Sequence, residues 1–290
     1  MELQLPLVRR ILDEHPNVEY HVWNLARNDE DRAYVDTISG NRITVFSAGE
    51  NEHNAVYRHY SQPEFKGHLF VKIDDDIVFL ETARFGAFVA AIDKHRGKLV
   101  LANIINNGAC TPVTPEIWEG FRALDIPLLD IHMSIEFADM AHGHLLNNAN
   151  KVLGKTIKLI PTEDWTSINL VGYDHATLCH ILATIGTDHP EYIGGRPILA
   201  WGPTFGDEGV CQVLPRIIMK GFTAAHLTFN TQQPGEEMLA KWREGYRELG
   251  ERYLASKASL RRSSGNLPPL SEVLCAHDGE RPDYDWAWSL

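Results

Sequence analysis

Hydrophobic positions follow helical and strand spacing in turn through the first half of the chain. Residues 7–15 read as a helix and Val18-Glu19-Tyr20-His21-Val22-Trp23 as a strand. Asn28-Asp29-Glu30-Asp31 supplies an N-cap and an acidic first turn for a helix to about Ile38, which Gly40 ends. Arg42-Ile43-Thr44-Val45-Phe46 is a second strand, and a helix is expected over residues 52–60. The stretch 68–80 then sets Asp74, Asp75 and Asp76 between two apolar, β-branched runs, each reading as a buried strand. A helix near 82–94 and a strand at 99–104 complete the alternation.

The second half is less regular. Residues 131–152 suit a helix, although His142-Gly143-His144 interrupts the pattern. Ser167 to Asp174 reads as a strand leaving the core, with Asp174 placed to cap the apolar helix after it. A turn is expected at Gly206-Asp207-Glu208 and a late strand over 222–229. Pro234 starts an amphipathic helix to about Ala255, with Leu239, Trp242, Tyr246, Leu249 and Tyr253 on its apolar face. Beyond it, Ser, Gly and Pro suggest a tail that crosses the surface, where Trp286 and Trp288 would dock it. The whole predicts an α/β domain over residues 1–255 and a tail over 256–290. Its central sheet is expected to be mainly parallel and flanked by helices. Ligands of such open sheets bind at the carboxyl ends of the strands, and residues 74–76 would lie there.

Composition narrows the class. With 290 residues and 44% hydrophobic content the chain can bury a substantial core. No apolar run nears the ~20 residues that span a bilayer. No basic segment followed by an apolar core opens the chain, so a cytoplasmic protein without a secretion signal or membrane partner is expected. Cys110, Cys179, Cys211 and Cys275 are scattered, which suits reduced thiols. A net charge of −12 opposes a general nucleic-acid surface, although Lys257, Arg261 and Arg262 could line a local groove.

Three adjacent carboxylates repel one another and need a positive neighbour beside a hydrophobic sheet. Mn²⁺ or Mg²⁺ is an economical answer, since their usual ligands are carboxylates together with substrate phosphates. The plainer alternative is an acidic surface turn.

Val71-Lys72-Ile73-Asp74-Asp75-Asp76-Ile77-Val78 resembles the Asp-x-Asp motif of GT-A-fold, nucleotide-sugar-dependent glycosyltransferases, the bacterial and phage members in particular. Asn103-Ile104-Ile105-Asn106-Asn107, Gly206-Asp207-Glu208 and Ala225-His226-Leu227-Thr228-Phe229 extend the resemblance, in order, across residues 18–232. It implies a nucleotide-sugar donor, with Asp74 at the ribose or metal, Asp76 on the metal, Asp75 beside the donor, and His226 completing the ion's ligands. It further implies that the 206–208 acids position the acceptor hydroxyl, and that Asn106 and Asn107 face the sugar or acceptor. The acceptor stays open between a small molecule, a glycan and a modified base in phage DNA. The family's first strand is a stub here, since only residues 2–5 precede the first helix. Asn24 and Asp29 are then the nearest candidates for the nucleotide base.

The residues also have readings of their own. A hydroxyl acceptor needs a carboxylate base within hydrogen-bond reach; Glu208 or Asp207 is first in line and Asp174 the reserve, unless Asp174 only caps a helix. Lys72 either adds to the field on a diphosphate or faces solvent. His226 is a ligand or a satisfied strand histidine. Asn106, Asn107 and Asn169 suit sugar hydroxyls or plain loop polarity. Asp139, His142 and His144 have His-x-His spacing but no fourth zinc ligand. A metal-dependent nucleotidyltransferase or phosphohydrolase, or a non-catalytic nucleotide-sugar-binding module, are the competing functions.

Overall fold

The elements in chain order begin with α1 (Leu5–Glu14), β1 (Tyr20–Asn24), α2 (Asp29–Asp36), β2 (Ile43–Ser47), α3 (Asn54–Tyr60), β3 (Leu69–Ile73), β4 (Ile77–Leu80), α4 (Phe85–Lys94) and β5 (Leu99–Ile105). They continue with α5 (Pro115–Leu124), α6 (Ile135–Val152), β6 (Lys158–Thr162), β7 (Leu170–Asp174), α7 (His175–Thr184), β8 (Tyr192–Ile193), β9 (Arg196–Pro197), α8 (Asp207–Val213), β10 (Arg216–His226) and α9 (Glu236–Ser263). The computed structural model describes residues 1–26, 28–47, 54–193, 196–197 and 202–263.

Local chemistry accounts for many of these elements. Helix α1 buries Leu7, Val8, Ile11 and Leu12 along one face. Helix α2 starts where Asn28 Oδ1 accepts the Asp31 N–H at 2.8 Å. Every residue of β4 and of β5 is buried, as the unbroken apolar run of β4 and the nearly unbroken one of β5, interrupted by Asn103, require. The expected helix at 131–152 is instead a 3₁₀ turn, Leu128–Met133, followed by α6, which Ser134 caps through the Phe137 N–H at 3.0 Å. His142-Gly143-His144 does not interrupt α6; its non-helical residue is Asn148.

The fold is α/β, but its sheet is mixed, not mainly parallel. Six strands lie in the order β3-β7-β5-β10-β4, with β6 also on β10. Only β5 and β10 run parallel; the β3–β7, β7–β5, β10–β4 and β10–β6 pairs are antiparallel. The alternation of strand and helix signals was sound as local structure but did not reveal neighbours. Strands β4 and β5, joined through α4, have β10 inserted between them. Strands β1 and β2 form a separate parallel pair.

Strand β10 begins earlier than its apolar run suggested and serves two antiparallel partners in succession, β6 along Arg216 to Lys220 and β4 along Ala224 to His226. The change falls at Gly221, whose φ of +91° and approach to the Lys155 carbonyl, 2.9 Å from where a Cβ would stand, exclude a side chain. Buried Glu81 clasps the bend, accepting the Gly154 N–H at 2.7 Å and the Thr223 N–H at 3.2 Å. Helix α4 lies against β7, with Ile92 and Phe88 over Gly172, and Phe88 stacks on Phe222 of β10.

The registers gather one edge. Ile73 pairs with Leu170, Ala225 with Ile105 and His226 with Ile77. The carboxyl ends of β3, β5 and β10 therefore lie with the amino ends of β4 and β7.

Two compact units divide the chain, Met1–Glu251 and Arg252–Leu290. The second is described only as far as Ser263, within α9. Trp286, Trp288 and Cys275 lie outside the described residues, as do the side chains of Lys257, Arg261 and Arg262. Among the described residues, no helix is long and apolar enough to cross a membrane.

Candidate functional site

Each of the three acids between β3 and β4 is met by different groups of the chain itself. Asp74 is bound on both oxygens: Lys72 Nζ donates to Oδ1, and Asn169 Nδ2 donates to Oδ2 at 3.1 Å. Asp76 Oδ2 lies 2.9 Å from His226 Nε2. The α-amino group of Met1 donates to the Asp75 carbonyl. Burial, and after it repulsion from Asp76, holds the Asp75 carboxyl above its ordinary value.

The backbone of this turn is also held. Gln4, fully buried at the start of α1, donates to the Asp74 carbonyl at 2.7 Å and accepts the Tyr20 hydroxyl at 2.8 Å. The Leu227 N–H donates to the Asp76 carbonyl at 3.0 Å, fastening the turn to the end of β10.

Lys72 does not face solvent. Its ammonium reaches Asp74 and the Ile168 carbonyl, the latter at 3.1 Å. Burial alone would lower its pKa, but the charges of Asp74 and then Asp207 raise it, so it stays protonated. Through this ammonium the first turn of α8 joins the site. Asp207 accepts the Tyr57 hydroxyl at 3.1 Å and the Glu208 N–H at 2.9 Å. The Glu208 carboxyl is raised by burial first and by Asp207 next, with Asp74 adding to it; Lys72 and the Ile168 N–H oppose. Lys72, Asp74, Asp207 and Glu208 thus form one electrostatically coupled group, and Asp76 pairs with His226 at the other end of the 74–76 turn.

Other sequence candidates are engaged elsewhere. Asp174 lies at the far end of β7, opposite Leu69, about 16 Å from Asp74 at ~3.3 Å per strand residue. Its Oδ1 caps α7 through the Thr177 N–H at 3.2 Å and accepts the Gly97 N–H at 3.3 Å, so it is a structural cap and not a reserve base. Asn24 is spent on α2, donating to Asp36 at 3.0 Å and to the Arg32 carbonyl at 3.2 Å, and Asp29, on the same helix, pairs loosely with Arg32.

Asn106, buried and at a φ of +64°, exchanges both amide groups with Gln232 at 2.9 and 3.0 Å. Its amide faces that partner in place of a sugar. Asn107 donates to the Ser167 carbonyl at 3.0 Å and to Asn169 Oδ1 at 3.2 Å, extending the chain of contacts that ends on Asp74. Asp139, His142 and His144 do not form a zinc site: both nitrogens of His142 are occupied, by the Tyr246 hydroxyl and the Leu227 carbonyl. Among the described residues no three His, Cys, Asp or Glu side chains assemble as a metal-holding group.

A metal at this edge would rest on Asp76 and His226. Their 2.9 Å separation is that of a hydrogen-bonded pair, so an ion would enter by replacing that contact. Buried His226 Nδ1 has no hydrogen-bond partner among the described residues, so the outer-shell contact that usually orients a metal-bound imidazole is not made there. Asp74 is excluded as a ready third ligand by Lys72 and Asn169.

Periodicity alone did not single out Gln4, Tyr57 or His142 as parts of this arrangement. Gln4 carried a usable signal, because it stands one turn before Val8 on the apolar face of α1, where an amide must find partners. Compared with protein-family models, curated proteins and solved structures, the chain matches none.

Proposed function

We propose that the protein is a metal-dependent glycosyltransferase that moves a sugar from a nucleotide diphosphate donor to an acceptor hydroxyl. One observation carries this reading: Asp76 and His226, far apart in sequence, pair at one end of the 74–76 turn, while Asp74 at its other end is coupled with Lys72 to the acidic start of α8. The parallel pair of the six-stranded sheet, β5 and β10, has its carboxyl ends at the edge that carries this turn, the end at which parallel strands of open α/β sheets meet ligands.

Asp76 and His226 would hold the ion, and an imidazole beside a carboxylate suits Mn²⁺ better than Mg²⁺, which prefers oxygen. Bound there, the metal supplies stabilisation of the diphosphate leaving group. Lys72 adds fixed positive charge at the same edge, although Asp74 and Asp207 offset much of it. Glu208 takes the proton from the acceptor hydroxyl. Burial and Asp207 raise its pKa, which makes its carboxylate a stronger base than that of an ordinary glutamate. With Glu208 as base, and with Asp207 and Asp74 engaged by Tyr57, Lys72 and Asn169, a single in-line displacement with inversion is favoured.

The individual partners of the acids favour this reading over two-metal phosphoryl transfer. That chemistry needs several carboxylates converging on ions about 3.5–4 Å apart. Here Asp74 is committed to Lys72 and Asn169. The acceptor class is a small molecule or glycan before DNA, since the net charge of −12 repels phosphate backbones.

The test is calorimetric and thermal-shift titration with nucleoside diphosphates and nucleotide sugars, with and without Mn²⁺, beside the Asp76→Asn and His226→Ala variants. Metal-dependent binding of one nucleotide sugar is expected, giving about 2.7 kcal/mol of stabilisation at a hundred times Kd, and both variants should lose it. Absence of any stabilising ligand would return residues 74–76 to the status of an acidic turn.

A further inference from the structure

His226 is only as well placed as the segment that carries it, and residues 226–232 are held by side chains from two other parts of the chain and by Gln232 of the segment itself. His142 of α6, fully buried, lies 2.9 Å through Nε2 from the Leu227 carbonyl and 2.7 Å through Nδ1 from the Tyr246 hydroxyl. Burial lowers its pKa to about 4, so the ring is neutral and has one N–H. A carbonyl can only accept, so the proton is on Nε2; Nδ1 then accepts, and Tyr246 must donate. Trp242 packs on the same ring at 4.6 Å.

Asn106 holds the segment from the end of β5. Its Nδ2 faces the His226 and Leu227 carbonyls at 3.5 and 3.4 Å, besides the reciprocal pair with Gln232. Gln232 fastens the far end, donating to the Ile131 carbonyl at 2.8 Å and accepting the Phe229 N–H at 3.1 Å. Each of these polar atoms is spent inside the protein on the backbone that flanks His226, a costly use of buried amides and imidazole unless the position of that backbone matters.

We propose that His142, locked in one tautomer by the Leu227 carbonyl and anchored by Tyr246, and Asn106 are positioning residues that set the His226 imidazole against Asp76. Tyr246 donates to His142, His142 donates to the Leu227 carbonyl, and Leu227 donates to the Asp76 carbonyl. Helices α6 and α9 are thereby coupled to both members of the Asp76–His226 pair. Without the Tyr246 hydroxyl, His142 Nδ1 is left buried and unpaired, and a ring that turns to find another partner carries the Leu227 carbonyl with it. The role in metal binding rests on the glycosyltransferase reading; the positioning itself does not.

The test uses the full chain labelled with ¹⁵N, comparing wild type with Tyr246→Phe and with Asn106→Gly. The glycine retains access to the left-handed backbone while deleting the amide, and it serves if the phenylalanine variant fails to fold. Imidazole spectra of the metal-free protein, assigned against His142→Asn and His226→Ala, report the tautomer of His142 and the Nε2 signal of His226. Binding of Mn²⁺ alone is followed by water-proton relaxation. In folded variants we expect the His226 signal to shift, its protected Nε2 proton to be lost, and Mn²⁺ affinity to fall at least tenfold, as losses of outer-shell partners do. A structural role alone would lower the melting temperature with both readouts unchanged, and that result overturns the proposal. If wild type binds no Mn²⁺, the metal reading falls, and the imidazole spectra by themselves uphold or overturn the positioning.

Discussion

The Tyr57 hydroxyl donates to Asp207 Oδ2 at 3.1 Å across 150 positions of sequence, tying α3 to the first residue of α8. Tyr57 is buried, and that burial, followed by Tyr173 and Asp207, keeps its pKa well above the ordinary value. It is a proton donor at every working pH. The bond fixes the turn that presents Glu208.

Tyr57→Phe retains the ring and its packing but removes this donor. The loss expected is about 1.5–3 kcal/mol, the range for hydrogen bonds to charged groups, read as a lower urea midpoint with unchanged slope. An unchanged midpoint would mean that water or another donor replaces the hydroxyl.

Glu208 separates activity from stability. Its folded pKa is raised above 4.5, so its stabilising contribution is full below that value and is lost as pH rises through the raised one. Glu208→Gln should therefore be more stable than wild type at neutral pH, with the difference closing in acid. The same change should lower kcat by ~10²–10⁴-fold if Glu208 is the base. In wild type, the acid limb of the kcat/KM profile should lie above pH 4.5.

Lys72 stands between the two acidic elements. Removing it in Lys72→Met leaves half-buried Asp74 without its cation, at a cost of about 1–3 kcal/mol. The folded pKa of this lysine is raised above 10.5, so its contribution is complete below that value and is lost only as pH climbs through the raised one. The deficit of the variant should be constant across the neutral range, as urea titrations at several pH values will show. A deficit that varied between pH 6 and 9 would point to a different partner.

Gly172 tests the packing beneath the site. A Cβ there would stand 2.0 Å from Ile92 Cδ1 and 2.6 Å from Cγ1. Gly172→Ala should cost about 1–3 kcal/mol by overpacking. Combined with Ile92→Ala it should lose less than the sum of the single changes, because the added methyl enters the space vacated. Strict additivity would show that α4 moves aside instead.

Much of the local structure was legible in sequence because its causes are local. The Asn28 and Asp174 caps depend on an N–H three residues ahead, and the unbroken apolar run of β4 matches its complete burial. Several site residues were legible as types: carboxylates between apolar strands, an acidic helix start, a late strand histidine. Asn106 misled because an amide at a strand end looks the same whether it meets a sugar or Gln232.

By itself the sequence determined which segments are helix or strand, which faces are apolar, and that a charged turn interrupts the core at residues 74–76. Only the tertiary structure decided that β10 enters between β5 and β4, making the sheet mixed. It alone decided that Lys72 answers Asp74, that His226 answers Asp76, and that His142 and Asn106 hold the segment between. The reason is physical. Periodicity and capping are set by neighbours within a turn or a pleat, whereas strand order and buried polar pairing are set by which distant groups satisfy one another once water is excluded.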